Sequence, residues 1–295
     1  MRESDLGEAG RLMYRTANLE RKNSGLPPLT VQVRRSPPLM QHLFSQCPGL
    51  SWGAYDGQTL AGFLVSHIRD RQWHAAYLAV DPTYQGLGIG RELLRTAMTD
   101  ARVQEMHIFS QCALNFNLRV VGLASRFGMF PRKDLFLMRR TGLEGWSLPP
   151  RSQTIVMDRI SSVETVTELN RMDCEVRGVN RAADHCLWLA QDDCTGFVFT
   201  LNERAVGYAY FFRTGMVGPV LAARDVFMTD ILVHCLHEVK EHKNDDVRFW
   251  ISGKNFSGLH LLLENRFQFH ESAILLTNRV FCDMRRYLPH SLVIL

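Results

Sequence analysis

The sequence has no apolar run approaching the roughly 18 residues of a membrane-crossing helix, so no membrane partner is expected. Net charge is scarce as well: 34 Lys and Arg stand against 30 Asp and Glu, leaving +4 on 295 residues. That makes no strong field for a polyanion, and no nucleic-acid partner is expected. The seven cysteines, Cys47, Cys112, Cys174, Cys186, Cys194, Cys235 and Cys282, are odd in number and irregularly spaced, without Cys-x-x-Cys. Neither structural zinc nor a disulfide framework fits that pattern. Reduced, mostly buried thiols in a cytoplasmic protein fit it better. His-Glu-x-x-His is missing, and His234 and His237, three apart on an expected helix, have no carboxylate placed beside them, so no metal is expected. The opening Met1-Arg2-Glu3-Ser4-Asp5-Leu6 lacks the apolar core of a signal peptide. Ordinary shares of hydrophobic (46%) and charged (22%) residues exclude a disordered or collagen-like chain.

At about 150 residues per domain, this length suggests two domains. The clearest break is Leu143-Glu144-Gly145-Trp146-Ser147-Leu148-Pro149-Pro150-Arg151-Ser152-Gln153, because Gly and consecutive prolines disfavour helix and strand alike. Domains are therefore expected at 1–142 and 154–295, with a linker at 143–153. A polar, proline-containing stretch at 21–38 reads as a long loop of the kind that lines sites. The first domain reads as helices 5–19 and 39–46, then strands 51–55, 60–68 and 75–80, with Asp56-Gly57 as a turn. An amphipathic helix at 91–103, with Leu94, Ala97, Met98 and Ala101 on one face, precedes a strand at 106–112, a helix at 118–126 and a strand at 134–138. The second domain reads as helices 163–176 and 182–189, a hairpin of 195–201 and 205–212, a helix at 225–242, a strand at 247–252, a helix at 258–264 and a strand at 273–279. The similar order suggests a divergent duplication.

The segment that carries chemistry is Leu78-Ala79-Val80-Asp81-Pro82-Thr83-Tyr84-Gln85-Gly86-Leu87-Gly88-Ile89-Gly90-Arg91. A strand ends at Val80, Asp81-Pro82 turns the chain, and three glycines lead into a helix. Glycine permits positive φ, and a helix amino terminus offers unpaired N–H donors at a positive dipole end. Together they make an anion cradle suited to a pyrophosphate, with Arg91 at its mouth. The dinucleotide fingerprint fails, because the spacing is Gly-x-Gly-x-Gly. A Walker loop fails too: Ser252-Gly253-Lys254-Asn255 lacks the upstream glycine and the hydroxyl. Glycines used only for tight turning would account for one of the three more easily than for all.

Gln85-x-x-Gly88-x-Gly90 after a Leu-x-Val strand end resembles the acyl-coenzyme A loop of the GNAT acetyltransferase superfamily. Leu123-Ala124-Ser125-Arg126-Phe127-Gly128-Met129 resembles that family's closing Leu-Tyr-x-x-x-Gly-Phe segment. Arg2-x-x-Asp5-Leu6 resembles the passage from its first strand into its first helix, on which likeness most of that strand would be absent. In the second half, Leu261-Leu262-Leu263-Glu264-Asn265-Arg266-Phe267 stands in the place of the closing segment, and Gly178-Val179-Asn180-Arg181 resembles the second domain of two-domain members. The stretch Gly218 to Asp225, in the loop position, has no Gln-x-x-Gly-x-Gly. The resemblance implies an α/β (α+β) fold of two tandem GNAT-like domains, each a mixed, mostly antiparallel sheet flanked by helices, the second degenerate.

The resemblance also implies a function: transfer of an acetyl group from acetyl-CoA to a primary amine of a small molecule or amino acid, by direct attack in a ternary complex. Acetyl-CoA would lie where the strand ending at Val80 parts from the strand at 106–112. Its pyrophosphate would meet the amides of Gly86, Leu87, Gly88, Ile89, Gly90 and Arg91, and Gln85 is also expected to bind the cofactor. Its pantetheine would meet Leu78, Ala79 and Val80, with Asn117 contacting it further on; a loop-turn role is as open for Asn117. Such chemistry needs a neutral amine and a protonated thiolate leaving group. The family's acidic tyrosine maps to Ala124 and Leu262, and its strand glutamate to about Ala76. Tyr77 and His74 are the nearest titratable groups and the catalytic candidates, with core-edge packing as the competing role for each. Trp52, Phe63, His67 and Trp73, with Trp188, Tyr208, Tyr210, Phe212 and Trp250 in the second half, are aromatic candidates for the acceptor pocket. Asp192-Asp193 and Glu238 with Glu241 could attract a cationic amine. A lapsed acyl-CoA-binding sensor or scaffold is the alternative, motivated by the missing tyrosine and glutamate.

Overall fold

The computed structural model describes residues 1–29, 37–142, 144–161 and 163–295. Residues 30–36 of the expected loop and residue 143 of the expected linker lie outside the described residues. The chain forms two compact units. One comprises Met1–Arg132 with Leu275–Arg279 and Ile294; the other comprises Lys133–Ile274 with Val280–Val293 and Leu295.

The first unit opens with α1 (Leu6–Asn23) and α2 (Pro38–Gln46). Leu6, Ala9, Leu12 and Thr16, spaced at three and four residues, form the buried face of α1. Strands β1 (Ser51–Asp56), β2 (Thr59–Arg69) and β3 (Gln72–Val80) make an antiparallel meander. Next come α3 (Ile89–Met98), α4 (Ala101–Gln104), β4 (Ile108–Leu114) and α5 (Leu118–Arg126). The helix expected at 91–103 is thus two helices. Asp100 turns extended (φ −61°, ψ 131°) and its carboxylate accepts from the Arg102 N–H, so an aspartate that bonds backbone starts a new helix and ends the old one.

One irregularity positions the site. β3 pairs with β4 in parallel only from Gln72↔Ile108 to Ala75↔Gln111. Across β2, Ser66 faces Ala75 while Val65 faces Tyr77, so Ala76 is a bulged extra residue. A bulge bends its strand and increases its twist. From this point β3 leaves β4, and its end at Leu78–Val80 presents an edge that β4 does not cover.

The second unit contains most of β5 (Phe130–Thr141), then β6 (Ile155–Arg159), α6 (Val163–Val176), α7 (Ala182–Leu189), β7 (Cys194–Leu201), β8 (Arg204–Phe212), β9 (Val217–Ala222), α8 (Met228–Glu241), β10 (Asp246–Ser252), α9 (Phe256–Glu264), most of β11 (Gln268–Thr277) and β12 (Tyr287–Leu288). One of its sheets has the order β12-β9-β8-β7-β6; in the other, β5 lies between β11 and β10. Met228, Ile231, Leu232, Cys235, Leu236 and Val239 of α8 form the core with Phe199, Val220, Phe249 and Leu262.

The units do not divide at 143–153. β5 pairs antiparallel with β10, from Ser252↔Leu135 to Asp246↔Thr141, which places residues 133–141 in the second unit. Residues 275–279 belong to the first, where Asn278 accepts from the Phe109 N–H (2.9 Å) and donates to the His107 carbonyl (3.1 Å). Glycine and proline show where regular backbone stops, not which strand pairs with which. The stretch expected as a loop from Gly218 is also different: Val217–Ala222 is a wholly buried strand. Its full burial leaves none of the alternation that marks half-buried strands.

Most of the aromatic residues expected around an acceptor are core. Phe63, Trp73, Trp188, Tyr208 and Tyr210 are inaccessible, and His67, Phe212 and Trp250 nearly so. In the second unit they enclose a polar network. Asp173 of α6 accepts from Tyr208 Oη (2.9 Å) and lies 2.7 Å from His185 Nε2, whose Nδ1 meets Tyr210 Oη at 2.7 Å. Arg181 donates to Tyr287 Oη (2.5 Å) and to Asp184 (3.3 Å), stands 3.7 Å from Asp173, and lies 4.8 Å from the Trp188 ring centroid. The contacts pair each buried charge with an opposite one, as low-dielectric surroundings require.

Candidate active site

The loop after β3 is built by its side chains. Asp81 accepts from the Thr83 N–H (3.0 Å) and hydroxyl (2.7 Å), forming the turn, and pairs with Arg15 of α1 at 2.8 Å. Tyr84 donates to Asp56 (2.9 Å), tying the loop to the β1–β2 turn. Gly86 and Gly88 then take φ of +86° and +85°, and Gly88 is the amino-terminal cap of α3. L-residues with a Cβ resist that conformation, so the two glycines are there for backbone shape. The loop ends with α3's first N–H groups unpaired, at the positive end of the helix dipole.

Gln85 is part of the scaffold. Its Nε2 donates to the Val80 carbonyl (3.1 Å) and its Oε1 accepts from Arg119 (3.2 Å). The Val80 carbonyl also accepts from Thr16 of α1 (3.3 Å), so both its lone pairs are engaged. Pantetheine pairing at Val80, as expected from the sequence, would fall to its N–H. Asp81 donates its own N–H to Ala61 (2.8 Å), and by alternation Val80's faces the other way, where β3 has left β4.

A cavity of about 510 Å³ lies here, and all eleven residues expected to hold the cofactor line it: Leu78, Ala79, Val80, Gln85, Gly86, Leu87, Gly88, Ile89, Gly90, Arg91 and Asn117. Asn117 caps α5, accepting from the Val120 N–H at 3.2 Å, while its amide donates to Glu20 at 2.6 Å. Its turn role and its place at the cavity are thus one position. Sequence reasoning missed Thr16, Glu20, Tyr84, Arg119, Val120, Leu123 and Arg126, which complete the lining. Arg119, Leu123 and Arg126 follow at four and three residues, one face of α5, a signal readable in principle. Thr16 and Glu20 reach the cavity only through tertiary packing of α1.

Arg91, Arg119 and Arg126 bring three guanidiniums to this cavity. With the α3 amino terminus they suit a phosphorylated ligand, while Leu78, Ala79, Val80 and Leu123 give an apolar wall. The arrangement fits acyl-coenzyme A: cationic where a pyrophosphate would sit, with a strand edge for the amides of the pantetheine.

Neither catalytic candidate lines this cavity. His74 is buried, its Nδ1 2.9 Å from Ser110 Oγ and its ring 5.4 Å from that of His67, its partner across β2. Tyr77 follows the bulge, and burial pushes its phenol well above its usual range. Ala124, in the tyrosine's position, is buried.

The second unit handles the corresponding strand differently. β9 follows the β7–β8 hairpin and precedes α8, as β3 follows β1–β2 and precedes α3. Its edge is occupied by the chain itself: Tyr287 pairs with Leu221, Leu288 with Val220, and the Ala222 N–H donates to the Arg286 carbonyl (2.9 Å). Asp192, Asp193 and Glu238 do converge, with Phe197 and Phe211, on a second cavity of about 300 Å³; Glu241 instead pairs with Arg151. Among the described residues no group of three or more His, Cys, Asp or Glu is placed to hold a metal ion, and no helix is long and apolar enough to cross a membrane.

Residues 18–129 match the family described as "Acetyltransferase (GNAT) family". Among solved structures, a putative acetyltransferase from Pyrococcus horikoshii is similar over 99% of this chain and 89% of its own, at 14% identity and a TM-score of 0.70. A GCN5-related N-acetyltransferase from Sphaerobacter thermophilus matches over 96% of both chains, at 14% identity and a TM-score of 0.63. A tandem GNAT protein from the clavulanic acid biosynthesis pathway matches over 93% of this chain and 95% of its own, at 12% identity and a TM-score of 0.61. No curated protein matches by sequence. Residues 18–129, within the first unit, thus carry the match to the GNAT acetyltransferase family, and the fold of the chain is similar to that of a tandem GNAT protein.

Proposed function

We propose that this protein transfers an acetyl group from acetyl-CoA to a primary amine of a small molecule or amino acid, by direct attack in a ternary complex. The observation that carries the reading is the convergence of all eleven expected residues on one cavity that joins a helix amino terminus to a strand edge. Amides of the Gly86–Arg91 loop, with Arg119 and Arg126, would hold the pyrophosphate. The β3 edge would align the thioester, and alignment alone supplies much of the rate in such transfers. We place the protein in the cytoplasm, acting on a small amine without nucleic-acid or membrane partners.

The test is acetyl-CoA turnover across free amino acids, amino sugars and polyamines, followed by thiol release. Turnover with at least one acceptor is expected. Binding of acetyl-CoA with no turnover on any of them would favour the lapsed sensor instead. Because β12 covers the β9 edge, titration calorimetry should give one acetyl-CoA per chain; a stoichiometry of two would contradict the assignment to the first unit.

A further inference from the structure

We propose that Glu20 of α1 is the group that takes the proton from the acceptor amine. The proposal rests on the acyl-transfer reading above. Among the described residues Glu20 is the only carboxylate lining the cavity, where it stands with Arg91, Arg119 and Arg126. It lies one helical turn beyond Thr16, whose hydroxyl is bonded to the end of β3. Its place is thus beside the strand edge that would align a thioester.

The carboxylate is held from one side. Asn117 Oδ1 is committed to the Val120 N–H as the cap of α5, so its Nδ2 faces Glu20 and donates to Oε2 at 2.6 Å. Among the described residues no hydrogen bond reaches Oε1, which can accept a proton from a ligand in the cavity. Burial raises the Glu20 pKa above its ordinary value, and the Asn117 hydrogen bond and the Arg119 charge offset this in part. The charged and titratable groups around it are Arg119 and Arg126 from α5, Arg91 from α3 and Tyr84 from the loop; β3 contributes only Leu78, Ala79 and Val80 to the cavity. A carboxylate of raised pKa is a stronger base than one in water. The same negative charge attracts a cationic amine to a wall that otherwise carries positive charge.

In the step, the acceptor's ammonium gives one proton to the Glu20 carboxylate. The freed lone pair attacks the thioester carbonyl carbon. The C–N bond forms, the C–S bond breaks, and the sulfur leaves with the electron pair and takes the surplus proton of the nitrogen. Glu20 then returns its proton to water. One ammonium and one thioester give one amide, one thiol and one proton.

The experiment compares wild type with Glu20→Gln, which keeps an oxygen for the Asn117 bond. Acetyl-CoA affinity by calorimetry should stay within about twofold, which also reports an intact cavity. For the best acceptor of the panel, kcat should fall by ~10²–10⁴-fold. The plateau that the wild-type pH–rate profile reaches once Glu20 is ionised should disappear, and the residual rate should keep rising tenfold per pH unit as solvent supplies the free amine. A kcat within about threefold and an unchanged profile would overturn the proposal. Loss of acetyl-CoA binding with kcat preserved at saturation would overturn it too, making Glu20 a cofactor-positioning residue. Failure of the wild type itself to bind acetyl-CoA would overturn the acyl-transfer reading, and this proposal with it.

Discussion

Arg181→Ala is expected to destabilise the second unit by about 3–5 kcal/mol, the cost of breaking a buried ion pair by removing one partner. Arg181, Asp173, Asp184 and His185 are almost wholly inaccessible, so the deletion leaves carboxylates in low dielectric without their cation. Tyr287 loses the donor to its hydroxyl, and the Trp188 face loses the guanidinium stacked on it. Removal of one partner is the damaging change, whereas replacing a whole network by packed apolar groups is often neutral. The measurement is the urea midpoint, read by tryptophan fluorescence because Trp188 belongs to this cluster. Arg171→Ala is the comparison. Arg171 pairs with Glu168 and Glu175 on the surface, where water screens the charges, and its variant should unfold close to the wild-type midpoint. Equal midpoints for both variants would mean that the network does not hold the unit together.

Gly88→Val should lower acetyl-CoA affinity by about 100-fold or more. Gly88 sits at φ +85° and ψ 0°, where a β-branched residue costs about 1–3 kcal/mol of strain. The backbone would relieve that strain by turning the amides at the start of α3 away from the cradle. Each charge-assisted hydrogen bond to a phosphate contributes about 1.5–3 kcal/mol, so losing two accounts for the expected drop. Gly90→Ala separates conformation from bulk. Gly90 has no positive φ, and a Cβ there would meet Leu123 and Val80 at 3.6 Å, an ordinary contact. Its affinity should stay near wild type. An equal loss in both variants, measured by calorimetry, would show that space rather than backbone shape matters in the loop.

The loop was legible in the sequence because its cause is local. Asp81-Pro82 turns the chain, glycine alone takes positive φ cheaply at 86 and 88, and α3 begins at once. Most elements were legible for the same reason: the periodicity of α5 and of the β7–β8 hairpin is written in consecutive residues. Legibility stopped where a nonlocal partner decides. His74 and Tyr77 are close to the loop in sequence, yet the bulge at Ala76 and the packing of β2 keep both off the cavity. Glu20 lies 66 residues before Gly86, and nothing near it in sequence marks it. The packing of α1 brings it in, with Thr16 bonded to Val80 and Asn117 bonded to Glu20.

The two-domain arithmetic shows the same division. Length suggested two domains, but the Gly-Pro break is not where the two units divide. Which strands each unit contains depended on hydrogen bonds between residues more than a hundred positions apart, such as β5 with β10 and Asn278 with Phe109. The second unit repeats the strand order of the first, but its β9 edge carries β12 of the same chain. Local sequence shows where a backbone can bend, cap or alternate, because those preferences act within a few residues. Which edge stays open for a ligand and which is closed by the chain is a matter of competing long-range pairings, and only the folded structure resolves it.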